Sequence, residues 1–106
     1  MDFELSPELQ ELQLRARKVA AEGVAEFGRF NDSWINGFSK GFARRMSEEG
    51  WIGMGWPKEH GGQERPPIER VIVAEEMISV GAPIAAMWFA DRQMGPTLIA
   101  YGTPDQ

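Results

Sequence analysis

Cysteine is absent from these 106 residues. Disulfides, thiolate metal sites and a cysteine nucleophile are excluded together. A reducing compartment fits, and cytoplasm is the expected one. Histidine occurs once, as His60 between Glu59 and Gly61-Gly62. With no second ligand at a metal-binding spacing, no metal site is expected, and His60 should help the Gly-Gly turn or face water. Basic residues are also few: 11 Lys+Arg against 16 Asp+Glu leave a net charge of −5, and the acidic excess runs through both halves. Such a chain lacks the positive footprint that nucleic acid or an anionic membrane requires. No apolar run approaches the roughly 20 residues of a membrane span. The acidic opening Met1-Asp2-Phe3-Glu4 has neither the basic region nor the apolar stretch of a secretion signal. Strand alternation, internal repeats and low-complexity tracts are missing too. Gly53-Met54-Gly55 has no third glycine in place and no strand before it, so the dinucleotide fingerprint is absent.

What remains is ordinary for one folded domain with a single core. Ser6-Pro7-Glu8 starts a helix: Ser6 caps, Pro7 suits the first helical position, and Glu8 complements the positive end. The series Leu5, Leu9, Leu12, Ala16, Val19, Ala20 makes that helix amphipathic to about Ala25. On its polar face, Glu11 and Arg15 stand four apart as a surface pair. Gly28 to Asn31 reads as a loop. A second helix is expected from Asp32 or Ser33 to Glu49, with Trp34, Phe38, Phe42 and Met46 as an aromatic stripe. Gly50 ends it in a left-handed cap. Gly37 and Gly41 weaken this helix by up to about 1 kcal/mol each, so packing must hold it.

Glycines and prolines punctuate residues 50–67 too often for a regular element. Trp51 and Trp56 there need apolar burial and a partner for the indole N–H, and should pin the loop to the helices or to a further domain. A third helix runs from Pro67 to Val80, apolar on most sides and so central, with Gly81 as its stop. A fourth runs from Ile84 to about Arg92. A short fifth runs from about Met94 to Tyr101, with Pro96 in its first turn and Gly102 as its cap. Gly95 and Pro96 should break the path between them. The fold class is therefore all-α, a bundle of four to five helices. Thr103-Pro104-Asp105-Gln106 follows the last cap directly, as a domain edge would.

Three stretches carry a family resemblance. They are Glu48-Glu49-Gly50-Trp51-Ile52-Gly53 with Trp56-Pro57-Lys58-Glu59-His60-Gly61-Gly62; the helical Val73-Ala74-Glu75-Glu76-Met77; and Met94-Gly95-Pro96-Thr97-Leu98-Ile99-Ala100-Tyr101-Gly102-Thr103-Pro104-Asp105-Gln106. In this order and spacing they resemble the N-terminal α-helical domain of the acyl-CoA dehydrogenases, over essentially all of residues 1–106. The match is loosest over residues 28–40.

The resemblance implies a three-domain subunit whose middle β-domain and C-terminal helical domain lie outside this chain. FAD falls mainly on those two domains and the catalytic carboxylate on the last, so no catalytic residue is expected here. The implied reaction is α,β-dehydrogenation of an acyl-CoA substrate. A carboxylate takes the α-proton while the β-hydrogen leaves as hydride to flavin N5, in a dry site. Electron-transfer flavoprotein or oxygen would be the acceptor, and a homo- or hetero-tetramer the assembly. The acidic domain should not grip the CoA phosphates. Its implied share is a wall of the acyl pocket, at the junction of helices four and five. There Met87, Asp91, Met94 and Leu98 recur at steps of four, three and four, flanked by Trp88 and Ala90. Flexible Met suits an adjustable apolar slot, while ordinary core packing is the alternative.

Glu75 and Glu76 are neighbours on a helix and point apart, so they cannot work as an acid–base pair. One should face water and the other meet loop amides. Two further functions stay open. One is a helical interaction module without chemistry, using Trp34/Phe38/Phe42 as a partner surface. The other is a base-lacking subunit of a hetero-oligomeric dehydrogenase, of the kind that acts on sterol side-chain CoA esters. A large exposed apolar patch is expected around the Gly-rich loop and helices three to five.

Overall fold

The computed structural model describes residues 5–106, and its regular elements are all helical. Helix α1 (Pro7–Phe27) begins where the Ser6 hydroxyl accepts the Leu9 N–H at 3.3 Å. Its buried side is Ala16, Val19, Ala20 and Gly23. These side chains are small, so a neighbouring helix can approach closely. That neighbour is α3 (Pro67–Val80), which turns Ile72, Val73, Ala74 and Met77 inward and packs along α1. The bounds of α3 are those its sequence predicts. Its stop is Gly81 at φ 73°, where the Gly81 N–H donates to Ile78 O and the Ala82 N–H to Met77 O. A side chain at Gly81 would also lie 2.5 Å from the Phe30 carbonyl, so both conformation and space demand glycine there.

The second helix is shorter than its sequence predicts. Residues 31–36 form a turn, and α2 spans only Lys40–Glu48. The break is tertiary in origin. At Gly37 a Cβ would meet Pro83 Cα at 2.9 Å, and the Gly37 carbonyl accepts the Ala85 N–H at 3.0 Å. Ser39 then takes an extended conformation and its hydroxyl caps α2 through the Phe42 N–H. The aromatic stripe is split as a result. Phe42 and Met46 are fully buried, while Trp34 and Phe38 are 40% and 63% exposed. Phe42 therefore cannot belong to a partner surface with Trp34 and Phe38.

Helices α1 and α2 interlock through rings set on glycines. Phe42 occupies the space a Gly23 side chain would need, and Phe27 that of Gly41, with the two rings 6.1 Å apart. At the end of α2, Gly50 at φ 79° donates to Ser47 O and Trp51 to Met46 O. This is the left-handed stop expected there.

The last stretch also departs from expectation. Helix α4 (Ala85–Phe89), a π turn (Ala90–Met94) and α5 (Gly95–Tyr101) follow without interruption. The Gly95 N–H reaches back to Ala90 O, five residues away. Pro96 lacks an N–H and its ring crowds the carbonyl four residues back, which would break an α-helix. The wider π register absorbs that defect and lets the path continue.

Candidate functional site

The geometry that matters is the attachment of this α4–π–α5 rod to the Gly-rich loop. Asp91 is only 2% exposed, and its Oδ1 accepts the Gly53 N–H at 2.5 Å. The Trp56 indole N–H donates to the Asp91 carbonyl at 3.1 Å. The Trp56 ring lies over Gly53 and Gly95, and Gly62 lies against the Trp56 backbone, so a Cβ at any of the three would collide. Two polar bonds and one enclosed ring thus hold loop and rod together. Trp51 and Met54, on the same loop, are buried in the core. Both tryptophans pin the loop to the helices.

The six candidate residues do not meet in one pocket. Met87 and Asp91 point into the domain. Trp88 is half-buried on one side, tilted against Trp34 at 6.0 Å. There it forms a groove of about 600 Å³ with Val71, Ala74 and Ile78 of α3. Leu98 faces a second groove of about 460 Å³, shared with Trp56 and His60. Ala90 is exposed, and Met94 is 60% exposed. The residue passed over in the sequence is Arg92, whose guanidinium stacks 4.0 Å over Trp88. The spacing of four residues between an aromatic and an arginine on a helix was the available signal. Burial pushes the Arg92 guanidinium below its ordinary range; Arg70 adds to this and Asp91 opposes it.

The paired glutamates behave differently from expectation in one respect. Glu75 is exposed, but Glu76 meets Arg17 through two bonds of 3.1 and 3.0 Å instead of loop amides. The loop amides are served by Asp91 and by Glu64, which accepts the Lys58 N–H. Arg15 likewise pairs with Glu49, not Glu11, and Arg45 joins that pair. His60 is exposed beside Glu59. Among the described residues no three metal-ligating side chains cluster, and no helix is long and apolar enough to cross a membrane.

Exposed apolar side chains gather on α3, on the rod and on the segment before α2, where Trp34, Ile35 and Phe38 stand. Ile68, Val71 and Ile78 stand on the first; Phe89, Met94, Leu98 and Tyr101 on the second. The loop does not share in the patch, because Trp51 and Met54 are in the core. A flavin dinucleotide carries a pyrophosphate, and these residues alone do not fit it. The Trp88 groove offers one cation, Arg92, beside the exposed Glu75, and the Trp56 groove carries Glu59, too little positive charge for a pyrophosphate.

Comparison with known proteins follows the same lines. Residues 6–106 match the family model described as acyl-CoA dehydrogenase, N-terminal domain. Acyl-CoA dehydrogenase FadE26 of Mycobacterium tuberculosis is 39% identical over 62 residues, 58% of this chain and 15% of that protein. Acyl-CoA dehydrogenase IpdE1 of the same organism is 34% identical over 88 residues, 83% of this chain and 22% of that protein. A crystal structure of the ChsE4–ChsE5 complex from Mycobacterium tuberculosis superposes with a TM-score of 0.78 at 29% identity. That match covers 100% of this chain and 27% of the matched one. The chain thus spans about a quarter or less of these relatives.

Proposed function

The chain belongs to the acyl-CoA dehydrogenase family as its N-terminal domain, and from that premise we propose that in a complete, FAD-dependent subunit it forms one wall of the acyl pocket. The reaction served is α,β-dehydrogenation of an acyl-CoA thioester. Flavin and catalytic carboxylate belong to the rest of the subunit, and electrons pass on to an electron-transfer flavoprotein or to oxygen. A homo- or hetero-tetramer is the assembly proposed, in keeping with the two-protein complex among the similar structures.

One observation carries this reading. The α4–π–α5 rod is fixed by Asp91 and Trp56, yet leaves Phe89, Met94 and Leu98 partly exposed, Leu98 beside the Trp56 ring. Exposed apolar side chains are common singly, but a row of them on a polar-anchored element marks a surface that something apolar covers. Of the six candidates, Ala90, Met94 and Leu98 are the wall; Met87 and Asp91 stand behind and hold its shape. The wall's contribution is exclusion of water and a fit to the acyl chain, which is where kcat/KM discrimination between chains arises.

The test uses the complete flavoprotein with Met94→Trp and Leu98→Trp. The added bulk should lower kcat/KM for long or bulky acyl-CoAs by roughly 10- to 200-fold, the range that one methylene of misfit commands. Short-chain turnover and flavin content should hold. Equal turnover of all chain lengths in wild type and variants would remove the acyl-wall assignment.

A further inference from the structure

We propose that the groove between α3 and Trp88 receives a single anionic group, a carboxylate or its like, carried on the acyl part of the substrate, and that Arg92 recognises it. This rests on the reading that the rod borders the acyl chain.

Charge accounting leads there. Arg15, Arg17, Arg45 and Arg65 each have a carboxylate partner within 4 Å. Arg70 and Arg92 form no such pair among the described residues, although both are half-buried. They border the same small internal cavity as Asp91. Asp91 already spends one oxygen on the Gly53 N–H. One buried carboxylate thus stands against two guanidiniums, and the surplus positive charge sits where burial penalises it. Arg70 Nε is also buried without a hydrogen-bond partner, alone in this among the described side-chain nitrogens and oxygens. Arg70 does not line the Trp88 groove, so the half-buried cation left without a partner there, among the described residues, is Arg92, which borders both that groove and the internal cavity.

The surroundings define the ligand. Stacking on Trp88 covers one face of the Arg92 guanidinium and leaves its planar edge to grip a carboxylate. Val71, Ala74, Ile78 and the Trp88 ring give the groove apolar walls, which reward a carbon chain and offer nothing to a free phosphate. Glu76 is held by Arg17, but Glu75 stands exposed on the rim. That rim repels a polyanion such as the CoA phosphates and tolerates one negative charge set beside Arg92.

The experiment compares an ω-carboxyacyl-CoA with the uncharged acyl-CoA of equal length in the complete flavoprotein. The wild type should prefer the charged ester. Arg92→Gln should reduce kcat/KM for it by about 10- to 100-fold, the scale of one charged hydrogen bond, and leave the neutral ester within about twofold; Arg92→Lys should fall between. A second readout is independent of turnover. A free dicarboxylate of matching length, such as glutarate, should raise the Tm of the wild type and not of Arg92→Gln, whereas inorganic phosphate should do neither. Equal loss with both esters, or an Arg92→Gln protein destabilised without any ligand, would assign Arg92 to an internal ion pair and overturn the proposal. So would preference for the neutral ester with no dicarboxylate shift. If neither ester bleaches the flavin, the acyl-pocket reading fails, while the dicarboxylate shift still decides whether Arg92 binds an anion.

Discussion

The α1–α2–α3 body and the α4–π–α5 rod are held by different forces. In the body, Phe42, Met46 and Met77 are fully buried, rings sit on glycines, and stability comes from apolar contact at close range. In the rod, Ala85 and Met87 reach the same core, but from Ala90 onward the fixings are few: one carboxylate to one loop amide, one indole to one carbonyl, and the Trp56 ring on Gly95. The rod's outer side chains Phe89, Met94 and Leu98 are only partly covered within this domain. On the proposed reading, the difference separates what the domain needs to fold from what it offers to the rest of a subunit.

Substitutions that probe each side sharpen this contrast. Phe42→Ala should show the largest effect, about 3–5 kcal/mol, because it empties a fully buried ring site against Gly23 and Phe27. Chemical denaturation would read this as a midpoint shift of the whole domain. Asp91→Ala should cost about 1–3 kcal/mol, the penalty of leaving the Gly53 N–H unpaired. Its signature should be local, with faster amide hydrogen exchange in residues 53–56 and 90–101 and little change in α1. If Asp91→Ala loosens α1 as much as the rod, the two regions are one cooperative unit and the contrast fails. Trp56→Phe should lose both the indole bond and the benzo ring packed on Gly95, about 1–2 kcal/mol, again confined to loop and rod.

The smallest effect concerns acid. The hydrogen bond from Arg15, followed by its charge and by Arg45, holds the Glu49 carboxyl below its ordinary value of 4.5, against the opposing effect of burial. A depressed folded-state value means that the pair stabilises the fold above the unfolded value and loses this as pH falls through the folded one. Stability should therefore be level from neutrality to about pH 5 and decline below about 4.5. Glu49→Gln should flatten that decline by less than about 1 kcal/mol, since solvent screens the pair.

Much of the body is legible in the sequence because its signals are local. Ser6-Pro7-Glu8, Pro67, Gly50 and Gly81 announce helix ends through caps and left-handed turns that depend on adjacent residues. The misreadings fall where distant contacts decide. The periodicity of Trp34, Phe38 and Phe42 is helical, yet Pro83 presses on Gly37 from another part of the chain and ends the helix there. Gly95-Pro96 signals a break in α register, and only a widened turn tied to Trp56 avoids it.

The candidate site divides in the same way. The exposure of Met94 and Leu98 follows from their own helix, whereas the burial of Asp91 depends on an amide 38 positions earlier. Arg92 and Arg70 read in sequence as surface charges, and only folding sets them half-buried beside one carboxylate.

Among the described methionines, Met46, Met54, Met77 and Met87 are buried and Met94 alone is exposed, which makes it a reporter on the outer face of the rod. The measurement is its rate of oxidation by dilute peroxide in the complete flavoprotein, with and without a non-reactive acyl-CoA thioether. The account predicts that the bound acyl chain slows oxidation of Met94 and leaves the buried methionines unchanged. Oxidation of Met94 at the same rate in both samples would contradict it.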